Sequence, residues 1–181
     1  MGQTKQLIPL GKGTLVSHAI DVAVQAGFGP VIVVVGAQAD LIQASIATKP
    51  VEIAHNSAWR SGMASSIAAG VRHHQQLGAE SAAIAILLAD QPLVTADHLL
   101  AMKRSLLSSG APVVAAQYSG TVGVPALFRR ALLSQLVSLT GEGGAKGLLR
   151  DPRTVPFELP EAGTDIDTPA DLAALHAKPP V

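Results

Sequence analysis

Asp90 stands where an acid can do chemistry. It closes the unbroken apolar run Ala82-Ala83-Ile84-Ala85-Ile86-Leu87-Leu88-Ala89 and is followed by Gln91-Pro92. The run is too short to span a membrane and turn formers flank it, which predicts a strand buried on both faces of a parallel sheet. In open α/β sheets ligands bind beyond the carboxyl ends of the strands. A carboxylate there would face substrate and could hold Mg²⁺. A second acidic group, Asp165-Ile166-Asp167-Thr168-Pro169, follows near the C-terminus, with Asp165 and Asp167 on one face if the segment is extended. Two such sites beside strands of one sheet could clamp the metals and phosphates of a nucleotide. Gly62-Met63-Ala64-Ser65-Ser66 predicts a tight turn into a helix, whose free N–H groups and two hydroxyls could hydrogen-bond a base or a phosphate. Each feature also has a structural explanation. Asp90 could be a turn residue, Asp167 a charge favoured at a helix start, and the serines helix caps.

The rest of the composition narrows the partners. A chain of 181 residues fits one domain and can bury roughly 70% of the surface its unfolded form exposes. Thirteen basic and thirteen acidic residues cancel, and no basic cluster exceeds Arg129-Arg130, so neither nucleic acid nor an anionic membrane is the expected partner. A small-molecule site is. The absence of cysteine excludes disulfides, thiolate metal ligands and cysteine nucleophiles, and fits a cytoplasmic protein. No signal-peptide pattern is visible, and the longest apolar runs fall well short of the ~20 residues that cross a bilayer.

The elements that must position these residues alternate between strand and helix. Thr14 reads as the N-cap of a helix carrying Leu15, Ala19, Val22, Ala23 and Ala26 at 3.6-residue spacing and closed by Gly27-Phe28-Gly29-Pro30. Val31 to Val35 is β-branched throughout, so a strand buried on both faces and ending at Gly36 is expected, then a short helix near Asp40 to Ala47. Val51 to Ala54 predicts a short strand, His55 to Gly62 a loop, and Ser65 to Leu77 a helix with Ile67, Ala68 and Val71 facing inward. After the strand Ala82 to Leu88, Thr95 could cap a helix to about Leu107, and Pro112 to Ala116 reads as a strand before the glycine-punctuated stretch 120–125. Arg130 to Val137 looks helical, and Thr168-Pro169-Ala170-Asp171 is a strong start signal for a last helix. The domain is expected over residues 1–175, with a frayed tail at 176–181. No repeat of 20 to 50 residues is present, so the pattern argues for a single α/β domain.

Four blocks in this order carry a resemblance: Lys5-Gln6-Leu7-Ile8-Pro9-Leu10, then Asn56 to Ser66, then Leu88-Ala89-Asp90-Gln91-Pro92, then Asp165 to Pro169. With Gly123-Val124-Pro125-Ala126-Leu127-Phe128 and Gly141 to Lys146 between the last two, the chain resembles the nucleotidyltransferase family that contains the molybdenum cofactor cytidylyltransferases. Those enzymes join CMP to molybdopterin and release pyrophosphate. The resemblance implies a Rossmann-like three-layer α/β/α domain with a mostly parallel sheet, and a Mg²⁺-dependent enzyme (Mn²⁺ as the alternative) acting on CTP and molybdopterin. A molybdenum hydroxylase apoenzyme would receive the product. Lys5 then contacts nucleotide phosphates as a mobile point charge. Asp90 and Asp167 match metal ligands. Gly2, Gly36, Gly62, Ser65 and Ser66 fall in nucleotide-binding positions, with Ser66 the better base contact of the two serines. Gly-Met-x-Ser-Ser together with Asp-Gln-Pro resembles the cytidylyl rather than the guanylyl branch, which is an analogy.

The pattern departs from the family at one place. The family opens with a strand and a glycine-rich loop just upstream of the lysine block, and this sequence begins at the last two residues of that loop, Met1-Gly2. The absent strand belongs in the middle of the sheet, so its loss is expected to expose apolar edges beside Val31 to Val35 and Ala82 to Leu88 and to remove most phosphate donors. A start assigned at an internal methionine, about twenty residues into a longer protein, is the preferred explanation. A catalytically impaired short form is the other. Other donors or acceptors, such as GTP or a sugar or alcohol phosphate, stay open within enzymes. A non-catalytic molybdenum cofactor carrier or chaperone is the reading from a different class. An NAD-type oxidoreductase is disfavoured, since no Gly-x-Gly-x-x-Gly follows a strand. The six histidines show no ligand spacing and read as solvated or helix-surface residues, and Trp59 reads as a loop anchor or a pterin-pocket wall.

Overall fold

The structure, a computed structural model, describes residues 4–166 and 171. A 3₁₀ turn at Lys5–Leu7 leads into a short antiparallel hairpin of β1 (Pro9–Leu10) and β2 (Gly13–Thr14). Helix α1 (Leu15–Gln25) starts where Thr14 predicts: its hydroxyl accepts from the Ser17 N–H at 3.3 Å while Ser17 Oγ accepts from the Thr14 N–H at 2.7 Å. This reciprocal cap satisfies two donors that a helix start leaves free. Next come β3 (Ile32–Val35), α2 (Ala39–Ser45), β4 (Glu52–His55), α3 (Met63–Gln76) and β5 (Ala83–Ile86). Helix α4 (Ala96–Ser109) opens with a second capping box, Thr95 with His98. Then follow β6 (Val113–Tyr118), β7 (Thr121–Arg129), α5 (Leu133–Val137), α6 (Lys146–Leu149) and β8 (Val155–Glu158). The expected last helix, the tail, Gly2 and Asp167 lie outside the described residues.

The three-layer α/β/α arrangement holds. On the central strand β6, Val114 and Ala116 face one helical layer, built from α1 and α4 through Val22, Ala26, Leu99, Met102 and Leu106. Val113 and Ala115 face the other, built from α3, α5 and α6 through Val71, Leu133, Leu136 and Leu149. All four of these β6 residues are fully buried, as a strand covered on both faces requires.

The mostly parallel, Rossmann-like sheet is corrected: the four-stranded sheet, in the order β5-β7-β6-β8, is mixed. Strand β7 runs antiparallel to both β5 and β6, and only β6 and β8 pair in parallel. The cause is the two-residue turn Ser119-Gly120, both at positive φ (49° and 72°), which reverses the chain directly as tight hairpin turns do. Gly120, Gly123 and Pro125 made this stretch look like a loop. Within β7, Ala126 pairs with Ala115 but Gly123 already pairs with Ala116, so Val124 and Pro125 fall in an irregularity of the ladder where proline's missing N–H costs no bond.

The apolar edges expected beside Val31 to Val35 and Ala82 to Leu88 are present. Strands β3 and β4 form a separate parallel pair, and among the described residues β3 has no neighbour but β4, and β5 none but β7. Ile32, Val33, Val34 and all of β5 are only partly buried, although their sequence is that of fully buried strands. Two helices span this discontinuity. Val22 of helix α1 and Ala26 just after it share an apolar cluster with Ala83 and Ala85 of β5, and Val16 and Ile20 share another with Val33 and Val35 of β3. Helix α3 packs Val71 with Ile84 and Ile86, while a Cβ at its Gly70 would come within 2.9 Å of Val34 Cγ2. Among the described residues, no helix is long and apolar enough to cross a membrane.

Amide protection should follow this division. In hydrogen exchange followed by mass spectrometry, peptides from β6 and β7 are expected to exchange most slowly. Peptides covering Ile32–Val35 and Ala83–Ile86 should exchange measurably faster, and equal protection of all four strands would contradict the split.

Candidate active site

Lys5 and Asp90 meet: Nζ lies 2.7 Å from Oδ2, with both side chains about one quarter exposed. The approach follows from where the chain enters the fold. Thr4 contacts the Gln38 side chain, just past the end of β3, and the very next residue reaches Asp90, past the end of β5. Consecutive Cα atoms are about 3.8 Å apart, so these two residues bring the carboxyl ends of β3 and β5 to one edge of the molecule. Ligand sites occupy that edge in α/β sheets.

The Asp90 loop is fixed on both sides of the acid. The Ile166 N–H donates to the Asp90 carbonyl at 3.0 Å, which brings the second acidic segment alongside the first. Ile166 is fully buried with Ile8 and Leu15, and Asp165 beside it is exposed. Burial and the Asp165 carboxylate push the Tyr118 phenol above its usual range, against the contact of its hydroxyl with Gln91, and Asp90 adds to the rise. Tyr118, Asp165 and Asp90 therefore share one small polar region, with the phenol protonated. Asp90 Oδ1 is buried there and has no hydrogen-bond partner among the described residues. An anionic oxygen without a donor is costly unless a cation completes it. A hard carboxylate oxygen also suits Mg²⁺ or Mn²⁺, so the residues present fit a divalent ion. Among the described residues no three His, Asp, Glu or Cys groups converge. An ion here would take one or two carboxylates and fill its remaining positions with water and phosphate, as Mg²⁺ commonly does.

The serine loop forms a second cluster around a residue that the sequence reading quoted only as part of a motif. Asn56, directly after β4 and buried, donates from Nδ2 to Ser65 Oγ at 2.8 Å and to Ser66 Oγ at 3.0 Å, and accepts from the Ala58 N–H at 3.0 Å. Ser65 also donates within the loop, toward the carbonyls of Ala58 and Gly62, so its hydroxyl is engaged on every side. Ser66 makes the Asn56 contact alone. Gly62 precedes α3 at φ 104°, a conformation side chains avoid, and a Cβ there would lie 2.7 Å from the Cα of Glu142. The glycine-rich turn Gly141 to Gly144 thus backs the serine loop. Gly62 contributes no side-chain cap; the Ser65 N–H bonds back to the Gly62 carbonyl at 3.1 Å, which leaves the N–H groups of Met63 and Ala64 uncapped by any side chain among the described residues.

Gly36 is explained by packing: a Cβ there would sit 2.6 Å from Trp59 Cβ. Trp59 is partly exposed, with the Arg60 guanidinium 4.2 Å above its ring. Of the histidines, His74 departs from the solvated or helix-surface reading and His98 keeps to it. His74 is buried with Nε2 2.9 Å from Ser81 Oγ, and His98 belongs to the α4 cap. Asparagine after a strand and two residues before a turn start was the available signal for Asn56, since such side chains hydrogen-bond their own backbone two residues on.

The sequence pattern of the MobA-like NTP transferase domain matches residues 1–157. The purine catabolism protein PucB of Bacillus subtilis (strain 168) is 32% identical over 115 residues, which cover 61% of this chain and 54% of that protein. The chain thus spans about half the length of this relative. The crystal structure of Rv0371c from Mycobacterium tuberculosis H37Rv superposes with a TM-score of 0.77 at 26% identity, covering 97% of this chain and 89% of that one. A manganese complex of Rv0371c gives 0.69 at 26% identity, covering 96% and 92%. A nucleotidyl transferase from Methanothermobacter thermautotroptrophicus (Mth528) shares the fold, with a TM-score of 0.76, 21% identity, and coverage of 94% and 82%.

Asn56→Ala removes the support of both serines and of the Ala58 N–H. Urea denaturation should show a loss of about 1–3 kcal/mol, the usual cost of stranding buried polar groups. A change below 0.5 kcal/mol, about the scatter of surface substitutions, would show that the loop does not depend on Asn56.

Proposed function

The chain belongs to the MobA-like NTP transferase domain family, and from that premise we propose that it transfers CMP from CTP to the phosphate of molybdopterin and releases pyrophosphate. The observation that carries the reading is the Lys5–Asp90 pair, at the strand-end edge, with one carboxylate oxygen unpartnered. Lys5 supplies a flexible ammonium for the phosphate oxygens of the triphosphate. Asp90, together with Asp165 or Asp167 from the neighbouring segment, would hold the divalent ion. Once bound, such an ion neutralises charge on the triphosphate as the bond to the leaving pyrophosphate breaks. The manganese complex of Rv0371c supports a divalent ion in this fold.

The acceptor's phosphate oxygen attacks the α-phosphorus of CTP, and the bond from that phosphorus to the bridging oxygen breaks. Two charged substrates must be held in line at fixed distance for this to proceed, so positioning and electrostatics do most of the catalysis. Ser66, with its hydroxyl proton uncommitted, and the open N–H groups of α3 are the base-side contacts. Ser65 serves the loop instead. The cytidylyl preference rests on Gly62-Met63-Ala64-Ser65-Ser66 and Asp90-Gln91-Pro92, the two blocks that resemble the cytidylyl branch.

Asp90→Asn is expected to lower CMP transfer, followed with α-phosphate-labelled CTP, by at least about a hundredfold while circular dichroism stays native. Near-native turnover would remove Asp90 from the mechanism. In thermal-shift competition with Mg²⁺, CTP should protect better than GTP or ATP at equal concentration, and equal protection would end the cytidylyl assignment. Molybdopterin binding without pyrophosphate release would select the carrier reading.

A further inference from the structure

We propose that Gln91 is the positioning residue that fixes the Asp90 carboxylate, by pinning the loop after β5 to two distant chain segments at once. The inference rests on Asp90 as the cation ligand.

Gln91 is 4% exposed, and its Nε2 donates to the Val124 carbonyl at 3.0 Å and to the Ala162 carbonyl at 2.8 Å, 33 and 71 residues away in sequence. Both acceptors are carbonyls that regular structure leaves available. Val124 lies in the irregular part of β7, out of register with β6. Ala162 belongs to the 3₁₀ turn Pro160–Gly163, next to the turn's end. Unpaired, the Ala162 carbonyl would be a buried acceptor without a donor and the Val124 carbonyl a partly buried one. One neutral amide satisfies both with its two hydrogens and brings no charge to compete with a cation beside it.

The Tyr118 hydroxyl packs where Gly123, next to Val124, has no side chain. The loop after β5, the β6–β7 hairpin and the segment leading to Asp165 are therefore locked at one residue, adjacent to Asp90. The carbonyl of Gln91 accepts from the Val94 N–H at 3.2 Å and that of Asp90 from the Ile166 N–H at 3.0 Å, so the backbone is held on both sides. A carboxylate presented to a metal from a loosely held loop loses affinity, and groups that orient ligands typically account for a 10–100-fold difference.

The test is direct Mn²⁺ binding by the full chain, followed by the electron paramagnetic resonance signal of the free ion. Gln91→Leu is expected to weaken Mn²⁺ binding at least tenfold, and Tyr118→Phe by less. Leu136→Ala, a core change among α3, α5 and the sheet, should lower the melting temperature yet leave Mn²⁺ affinity unchanged, which separates positioning from general stability. If Gln91→Leu does not fold, Gln91→Met keeps the approximate volume without adding charge, loses the two amide donors and carries the same expectation. Wild-type Mn²⁺ affinity in a folded Gln91 variant overturns the inference alone. No Mn²⁺ binding by the wild type, or equal binding by Asp90→Asn, takes down the parent reading and this inference with it.

Discussion

A carboxylate oxygen buried without a donor is the constraint around which this molecule is arranged. Asp90 Oδ2 is held by Lys5 at 2.7 Å while Oδ1 has no hydrogen-bond partner among the described residues, a state that burial penalises unless a cation offsets it, and the acid must still be held in place. Three segments hold it. The 3₁₀ turn at the start supplies the ammonium, the strand β5 delivers the loop, and the Ile166 N–H takes the Asp90 carbonyl at 3.0 Å. Each is anchored in apolar packing. Ile8, Leu15 and Ile166 form one small core beneath the site, and Leu7 and Ala89 pack against the β3 cluster.

The sheet beneath is stiff on one side and open on the other. Strands β6 and β7 carry fully buried residues on both faces, and β7 returns antiparallel through a two-residue turn. Strands β3 and β5 flank a discontinuity bridged by α1 and α3 instead of by hydrogen bonds. Residues Thr4 and Lys5 lie across its site end, touching Gln38 and Asp90 respectively. The part of the structure that holds the Lys5–Asp90 pair is thus the part least supported by the sheet among the described residues, which makes side-chain ties such as that of Gln91 matter more than they would on a continuous ladder.

Around the serine loop, small residues mark close approach more than ligand contact. Gly36 leaves room for Trp59, and Gly62 for the Gly141-Glu142 turn. Ser65 is committed to Asn56 and to two carbonyls, so of the two serines only Ser66 keeps a free proton. The motif is a structural unit first, and the partly exposed Ser66 is the serine left less committed to it.

Helix starts at Thr14 and Thr95, the strands at Val31 to Val35 and Ala82 to Leu88, and the acid at the end of the latter were legible in the residues alone. These depend on nearest-neighbour chemistry: a hydroxyl that caps, a β-branched run, a proline that stops a strand. Strand β7 was not, because Gly123 and Pro125 have the local signature of a loop and only pairing with β5 and β6 makes that stretch a strand. Nor were the roles of Asn56 and Gln91, whose partners lie on other segments, up to 71 residues away for Gln91. By itself the sequence determined which groups could do chemistry and the α/β alternation that carries them. The tertiary structure alone decided that Lys5 reaches Asp90, that the sheet is mixed and divided, and which polar atoms are spent on the fold, because those outcomes depend on contacts between segments that no local pattern encodes.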